Sequence, residues 1–345
     1  MRRKITAVLA LLAALALPAA AHAQQRVTLR EAVDAALANG SRLRVAAADE
    51  AIARAAVTTA RAFPNPTANL TYSKATPQYH AVLDQPLEFP WLRSARIQAA
   101  LAGGAAARYR LEVERAAVRF AVDSTYLAAA AAGELARLSA RDARAGDELV
   151  RIAQTRESAG DASELDVELA RVTQGGLANT ALADSLSAVA ALLDLQVLMG
   201  LPGGGVEIAL ADSLAGIAPA VGTAAGSTVA ADQAAATPLR VAAAEADLAA
   251  QQATLVQERA SRFAAPSVTA GVEWHDPTGG EPGYLPTFGL AIPLPIFDRN
   301  RGGIATARAS QDRARAQLDA ARRDQGVEMA RARLTCGRPL NLQAF

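Results

Sequence analysis

The chain has 345 residues, a formal net charge of +1, one cysteine and 4% aromatic residues, and alanine alone supplies about a quarter of it, roughly three times an ordinary share. The balanced charge gives no long-range pull toward nucleic acid, and a lone Cys336 forms neither an internal disulfide nor a cysteine-rich zinc site. At 51% hydrophobic the chain is too apolar for disorder, and many alanines with few aromatics fit slender, closely packed helices better than one broad core.

Arg2, Arg3 and Lys4 precede an apolar run from Ile5 to Leu17, then Pro18 and the small-residue site Ala21-His22-Ala23. This order predicts a secretory signal peptide, residues 1–23, and export from the bacterial cytoplasm. The run is short for a bilayer span, which takes about 20 residues. Gln24, not cysteine, follows, which argues against a lipoprotein anchor. Beyond it no segment reads as a transmembrane helix, so any membrane part must consist of strands.

Thr28 with Glu31 predicts a capping box opening a helix that stops near Asn39-Gly40. Ser41 begins a second helix reaching about Ala62. A proline-free stretch over 94–158 predicts a helix of roughly 95 Å at 1.5 Å per residue. Its residues Tyr109, Val113, Ala116 and Phe120 make one apolar stripe, and Leu111, Val118 and Val122 another. Gly160-Asp161-Ala162-Ser163 then turns the chain, with Ser163 as cap and Asp166 at the third helical position. On the return, Leu165, Leu169, Val172, Gly176, Asn179, Ala183, Leu186, Ala190 and Leu193 form a heptad seam, closed by Met199-Gly200-Leu201-Pro202.

Four segments read as strands: 67–75, 78–88, 267–276 and 284–293. In the third, Val268, Ala270, Val272 and Trp274 alternate with Thr269, Gly271, Glu273 and His275. In the fourth, Phe288, Leu290 and Ile292 alternate with Thr287, Gly289 and Ala291. Dyad alternation over about ten residues suits a transmembrane barrel strand. Four such strands close no pore, and an open edge cannot face lipid, so membrane strands here require several chains to share one barrel.

The chain also repeats. Leu43-Arg44-Val45-Ala46-Ala47-Ala48 recurs as Leu239-Arg240-Val241-Ala242-Ala243-Ala244. In each case a long helix and a proline break follow, Phe63-Pro64-Asn65-Pro66 and Phe263-Ala264-Ala265-Pro266. Alternating segments come next, and then the corners Pro86-Leu87-Glu88-Phe89-Pro90-Trp91 and Pro293-Leu294-Pro295-Ile296-Phe297-Asp298, each leading into a helix. A period of roughly 200 residues is too long for a solenoid unit and predicts two domain-sized copies. The boundaries are a first copy at 24–202, a linker at 203–237, a second, incomplete copy at 238–334, and an aberrant tail at 335–345.

No catalytic, cofactor or metal residues are expected. His80 and His275, the two histidines beyond the signal segment, have no partner at metal-ligand spacing, and nucleophile-elbow, zinc-protease and phosphate-loop motifs are absent. The acidic residues Asp161, Glu164 and Asp166 open a helix, and Asp298 is expected to cap the helix after Asp298-Arg299-Asn300-Arg301.

Together these motifs resemble the outer-membrane efflux protein (TolC-like) family, and most closely the outer-membrane component of heavy-metal or cation efflux systems. The residues that carry the likeness are Thr28-Leu29-Arg30-Glu31-Ala32, Ala38-Asn39-Gly40, the Phe63 break, Ala159-Gly160-Asp161-Ala162-Ser163-Glu164-Leu165-Asp166-Val167, Met199-Gly200-Leu201-Pro202 and the corner from Pro293 to Gly302. The resemblance implies a mainly α fold with a few strands. Long helical hairpins would form a periplasmic α-barrel, and each chain of a homotrimer would give four strands to a twelve-stranded outer-membrane β-barrel. It also implies a periplasmic adaptor and an inner-membrane pump as partners, contact with outer-membrane lipid, and passive conduction of metal cations or drugs. Ala159, Gly160, Asp161, Ala162, Ser163, Glu164 and Leu165 would meet the adaptor, while Pro86, Pro90, Pro293, Pro295 and Asp298 would make the strand-to-helix corners. A soluble periplasmic scaffold or adaptor-like protein is the alternative, as is a non-functional truncated member of the family.

One departure stands out. The second copy should repeat the hairpin, yet the helical pattern fails after about Leu334, and Pro339 breaks it. Roughly 70 residues of a two-copy architecture are then missing. The expectation is a C-terminally truncated or frameshifted product, against a natural short variant.

Overall fold

In a computed structural model, residues 25–202, 205, 208–214, 216, 237–262, 265–278, 280 and 283–336 are described. The expected signal peptide, most of the expected linker, the Phe263-Ala264 break and the tail beyond Cys336 lie outside them. The element order is β1 (Gln25–Val27), α1 (Leu29–Asn39), α2 (Ser41–Arg61), β2 (Thr67–Tyr72), β3 (Tyr79–Pro86), α3 (Pro90–Ser158), α4 (Glu164–Leu198), β4 (Ile208–Leu210), α5 (Leu239–Ala260), β5 (Ser267–Trp274), β6 (Tyr284–Ala291) and α6 (Arg301–Cys336). Helix, strand, strand, helix thus occurs twice, as α2-β2-β3-α3 and α5-β5-β6-α6. The fold is mainly α with a few strands.

The chain divides into two compact units, Met1–Leu43 with Arg115–Ala231, and Arg44–Glu114 with Asp232–Phe345. The core of the first unit is Val27, Ala32, Val33, Ala36, Val118, Val122, Tyr126, Ala130, Leu195, Met199 and Ile208. α1 earns its place there through the expected capping box: Thr28 Oγ1 accepts from the Glu31 amide and the Glu31 carboxylate accepts from the Thr28 amide. The Thr28 amide and then its hydroxyl, both donating to the Glu31 carboxylate, hold that carboxyl below its ordinary range. Two short strands that the sequence pattern does not reveal pair in parallel, Gln25–Val27 against Ile208–Leu210. The latter lies inside the glycine-rich stretch read as linker.

Gly40 does not end α1 in the left-handed region, as the Asn-Gly signal predicts. Its φ is −57°, because α2 starts at the next residue. Glycine is needed there for space: a Cβ would sit 2.3 Å from the Ala36 carbonyl oxygen. Gly200 is left-handed, with φ 75°, and ends α4 with the bonds Gly200 N to Val197 O and Leu201 N to Gln196 O, a Schellman motif.

α3 begins at Pro90, four residues earlier than predicted, with proline at the first helical position where its missing N–H costs nothing. Of its two stripes, Leu111, Val118 and Val122 are buried, whereas Tyr109 and Phe120 are exposed. The return helix departs further from expectation. The predicted seam at Leu165, Leu169, Val172 and Leu186 is 57–73% exposed. The face turned to the hairpin is a second series offset by one or two residues, Val167, Ala170, Gln174, Leu177, Ala181, Asp184, Ala188, Ala191 and Leu195, which are buried or half-buried. It is poorer in leucine, which lets the arms approach: a Cβ on Gly146 would lie 3.0 Å from Leu177 Cδ1, and Gln174 Nε2 donates to Asp147 Oδ1 at 2.8 Å. By length and composition α4 is also apolar enough to cross a bilayer, which corrects the exclusion of such a helix beyond the first segment. Alanine and leucine raise its hydropathy, but it is one arm of a hairpin.

In the second unit the strands form one antiparallel sheet in the order β2-β3-β5-β6. They are six to eight residues long, shorter than the predicted segments. α5 packs along α6 around Leu255, Ile304 and Ala307, tied by Arg322–Glu245 and Arg240–Glu328 ion pairs.

Candidate functional site

The register of the sheet puts opposite chemistry on its two faces. Tyr79 stands opposite both Tyr72 and Trp274, and Trp274 opposite Tyr284. Counting by twos from this row, one face carries Ala68, Leu70, Ala81, Leu83, Val268, Ala270, Val272, Pro286, Phe288 and Leu290, with the polar Gln85 at its corner end. Leu70 and Phe288 are each 80% exposed. The aromatic row forms a continuous rim, with Tyr79 stacked on Trp274 at 5.6 Å and Tyr72 and Tyr284 at either end, 5.2 and 6.2 Å from their neighbours. Eight residues at about 3.3 Å each run about 26 Å along the strand, which at a tilt of about 40° covers about 20 Å of the apolar band of about 25 Å on an outer-membrane barrel.

The other face is polar and hydrogen-bonded across the strands. Asn69 Nδ2 donates to Asp84 Oδ2 at 2.9 Å, and Thr269 Oγ1 donates to Asp84 Oδ1. Two levels away, Thr287 Oγ1 donates to Glu273 Oε1 at 3.0 Å, and His80 Nδ1 lies 3.4 Å from the same oxygen. Gly271 permits the close approach of β3, since a Cβ there would meet the Ala81 carbonyl oxygen at 2.7 Å. Edge strands β2 and β6 each pair on one side only among the described residues.

The corners below the sheet lock the strands to the helices. Pro86 is still in β3, opposite Ser267, and the Leu87 amide donates to the Pro266 carbonyl. Arg96 on α3 donates to the Ala60 and Ala62 carbonyls at 3.1 and 3.0 Å, capping the end of α2. It also pairs with Glu88, whose side chain is 5% exposed. Arg93 donates to the Arg61 carbonyl at 2.9 Å and lies 4.4 Å over the Phe63 ring. In the second corner a neutral side chain does the same work. Asn300 Nδ2 lies 3.0 Å from the Glu258 carbonyl, 2.6 Å from its carboxylate and 2.7 Å from Ser261 Oγ, at the end of α5. Asn300 has φ 54°, a conformation asparagine tolerates. Asp298 does not cap α6 directly. Its carboxylate accepts from the Asn300 amide at 2.8 Å, and the Asn300 carbonyl starts the helical ladder at Ile304. Pro293 and Pro295 lie between β6 and this turn, where the Pro295 carbonyl accepts from Arg299 Nε at 3.2 Å.

In the first unit the hairpin tip joins two complete caps. Gly160, with φ 83°, closes α3 through Gly160 N to Glu157 O and Asp161 N to Arg156 O at 2.9 and 2.8 Å. Ser163 then opens α4 with a capping box, its amide and hydroxyl reaching Asp166 Oδ2 at 2.9 and 2.7 Å. Bonding to Ser163 depresses the Asp166 carboxyl. Ala159, Gly160, Asp161, Ser163, Glu164 and Leu165 are exposed and Ala162 is half-buried. Among the described residues, no group of three or more His, Cys, Asp or Glu side chains is placed to hold a metal.

No protein-family model matches the chain. It is similar to the cobalt-zinc-cadmium resistance protein CzcC of Cupriavidus metallidurans, with 28% identity over 291 residues, 84% of this chain and 68% of CzcC. Among solved structures it resembles CusC, whose crystal structures concern folding and transmembrane channel formation, with a TM-score of 0.62 at 17% identity over 86% of this chain and 72% of that one. It also resembles the Campylobacter jejuni CmeC outer membrane channel, with a TM-score of 0.63 at 16% identity over 84% of this chain and 66% of that one. The chain therefore has the TolC-like fold of outer-membrane efflux channels and is a sequence relative of the metal-resistance protein CzcC.

Proposed function

We propose that this protein is the outer-membrane channel component of a tripartite efflux system, passing its cargo passively from the periplasm to the exterior. The observation that carries the reading is the two-faced sheet: an apolar, aromatic-rimmed face fit for lipid backed by a hydrogen-bonded polar face fit for a water-filled lumen. Its unpaired edges, β2 and β6, cannot stay open in a bilayer. Three copies pairing β6 of one to β2 of the next give a closed barrel and a homotrimer. The leucine-rich seam of α4, left exposed in the single chain, supplies a surface for a neighbouring copy in the periplasm.

The channel performs no bond chemistry. It supplies a path, and energy comes from an inner-membrane pump joined through a periplasmic adaptor. The adaptor meets the tip at Ala159 to Leu165, where two rigid caps hold a small exposed turn. Kinship with CzcC favours heavy-metal cations as cargo, and Asp84 and Glu273 on the polar face would offer them a negative wall. Cell fractionation tests the reading: the protein should be recovered in the outer membrane as a detergent-stable trimer that conducts ions in planar bilayers. Recovery as a soluble periplasmic monomer would favour the scaffold alternative and overturn the channel.

A further inference from the structure

In the first corner Arg93 carries a charge for which the described residues show no paired carboxylate. Arg96, three residues on, is neutralised by Glu88. Arg93 instead spends one nitrogen on the Arg61 carbonyl and lays its plane over Phe63. Its Nε is buried and finds no acceptor. A buried donor without a partner is costly, so it calls for an explanation.

The guanidinium borders a cleft of about 400 Å³, lined also by Phe63, Glu88, Pro90, Ser94, Ile97 and Gln98, with the Glu88 carboxylate already paired to Arg96. Ser94 and Gln98 add a hydroxyl and an amide to the cation. Around this cleft the surface is apolar, with Phe63, Leu87 and Trp91 each 43–70% exposed and Trp91 stacked on Phe89 at 4.3 Å. The cleft follows directly on the end of β3, at the opposite end of the sheet from the Tyr72–Tyr284 rim.

We propose that this cleft is a binding site for the phosphate of an anionic phospholipid headgroup in the leaflet bordering the strand-to-helix corner. Arg93 answers the phosphate charge, Ser94 and Gln98 donate to its oxygens, and the acyl chains run along the exposed apolar side chains and the apolar sheet face. A planar guanidinium suits two phosphate oxygens at once. Because the Glu88 carboxylate in the lining is balanced by Arg96, Arg93 leaves the site one positive charge, and the site prefers an anionic headgroup to a zwitterionic one. The inference rests on the membrane reading of the strands and adds to it a defined lipid partner.

The test uses the detergent-purified full chain and native mass spectrometry with phosphatidylglycerol or phosphatidylcholine added at equal concentration. The wild type should retain phosphatidylglycerol at least fivefold better. Arg93→Gln should abolish the preference, and Arg93→Lys should keep part of it. A Ser94→Ala/Gln98→Ala double variant leaves the Arg93 contacts to Arg61 and Phe63 intact, and should weaken retention without disturbing the fold read by circular dichroism. Equal retention of both lipids by the wild type, or unchanged preference in Arg93→Gln and the double variant, would overturn the site. Displacement of phosphatidylglycerol by equimolar inorganic phosphate would overturn the lipid as its occupant. Liposome insertion is measured in parallel. A chain that inserts without lipid preference loses only this site, whereas one that does not insert loses the membrane reading and the site with it.

Discussion

The Tyr126 hydroxyl lies 3.0 Å from Asp212 Oδ2, and that same carboxylate oxygen accepts the Leu29 amide at 2.9 Å. The hydroxyl also lies 2.9 Å from the Val27 carbonyl. One fully buried side chain thus ties α3 to β1, to the start of α1 and to the segment after β4. Burial is the largest cause raising its pKa from 10.0 to about 12. The folded protein holds the phenolic proton more tightly than the unfolded chain does. The stabilisation is therefore complete below about pH 10 and is lost as pH rises through about 12. Thermal melts should fall over that window in the wild type, and Tyr126→Phe should flatten the fall while lowering stability by about 1–3 kcal/mol at neutral pH.

A second prediction concerns the first corner. Arg96→Ala strips the caps from the Ala60 and Ala62 carbonyls and leaves Glu88 buried without its cation. Breaking a buried pair from one side costs about 3–5 kcal/mol. Arg96→Ala/Glu88→Gln should recover a substantial part of that loss in chemical denaturation. No recovery would mean that the carbonyl caps, not the ion pair, carry the energy.

The sheet offers a steric contrast between two glycines. Gly271→Ala drives a methyl group to 2.7 Å from the Ala81 carbonyl oxygen, whereas at Gly289 the nearest atom is Thr269 Cβ at 3.3 Å. Gly271→Ala should disrupt assembly, seen as loss of heat-resistant oligomers on gels, and Gly289→Ala should leave them in place.

The exposed seam of α4 gives a test of association. Leu169 and Leu186 are 57% and 63% exposed. Leu169→Lys/Leu186→Lys should leave the helical content of the chain unchanged and reduce its trimer fraction in analytical ultracentrifugation. Unchanged trimers would show that another surface joins the copies.

At the tip the Asp166 carboxyl is held below its ordinary value by Ser163. A depressed carboxyl contributes stability above its unfolded pKa, and that contribution disappears as pH falls through the lower folded value. Hydrogen exchange at the first turn of α4 should accelerate below about pH 4, and Ser163→Ala should produce the same acceleration at neutral pH.

Much of this was legible because local chemistry decided it. Thr28 with Glu31 and Ser163 with Asp166 sit three residues apart, and each pair alone specifies a helix start. The alternation from Val268 to Trp274 likewise announced a strand with one apolar face. Tertiary effects hid the rest. β1 and β4 are three residues each, too short to show a period, and exist because they pair with each other. Two heptad series run along α4, and the sequence pattern alone favours the one that the fold leaves exposed. Leucine content marks the one left open, while the hairpin selects the alanine-rich one for close approach. The Arg93 and Arg96 contacts join residues more than thirty positions apart, which no local pattern reveals.

The two corners close their helices by different means, and they should therefore answer differently to the medium. Arg96 and Glu88 form a charged latch, and its strength will vary with ionic strength as salt screens whatever part of the pair meets water. Asn300 forms a latch in which a neutral amide holds the Glu258 carboxylate, a charge–dipole contact of shorter range than an ion pair. A duplicated joint has thus become two hinges of unequal salt response, so rising ionic strength should weaken the exposed part of the first joint more than the second.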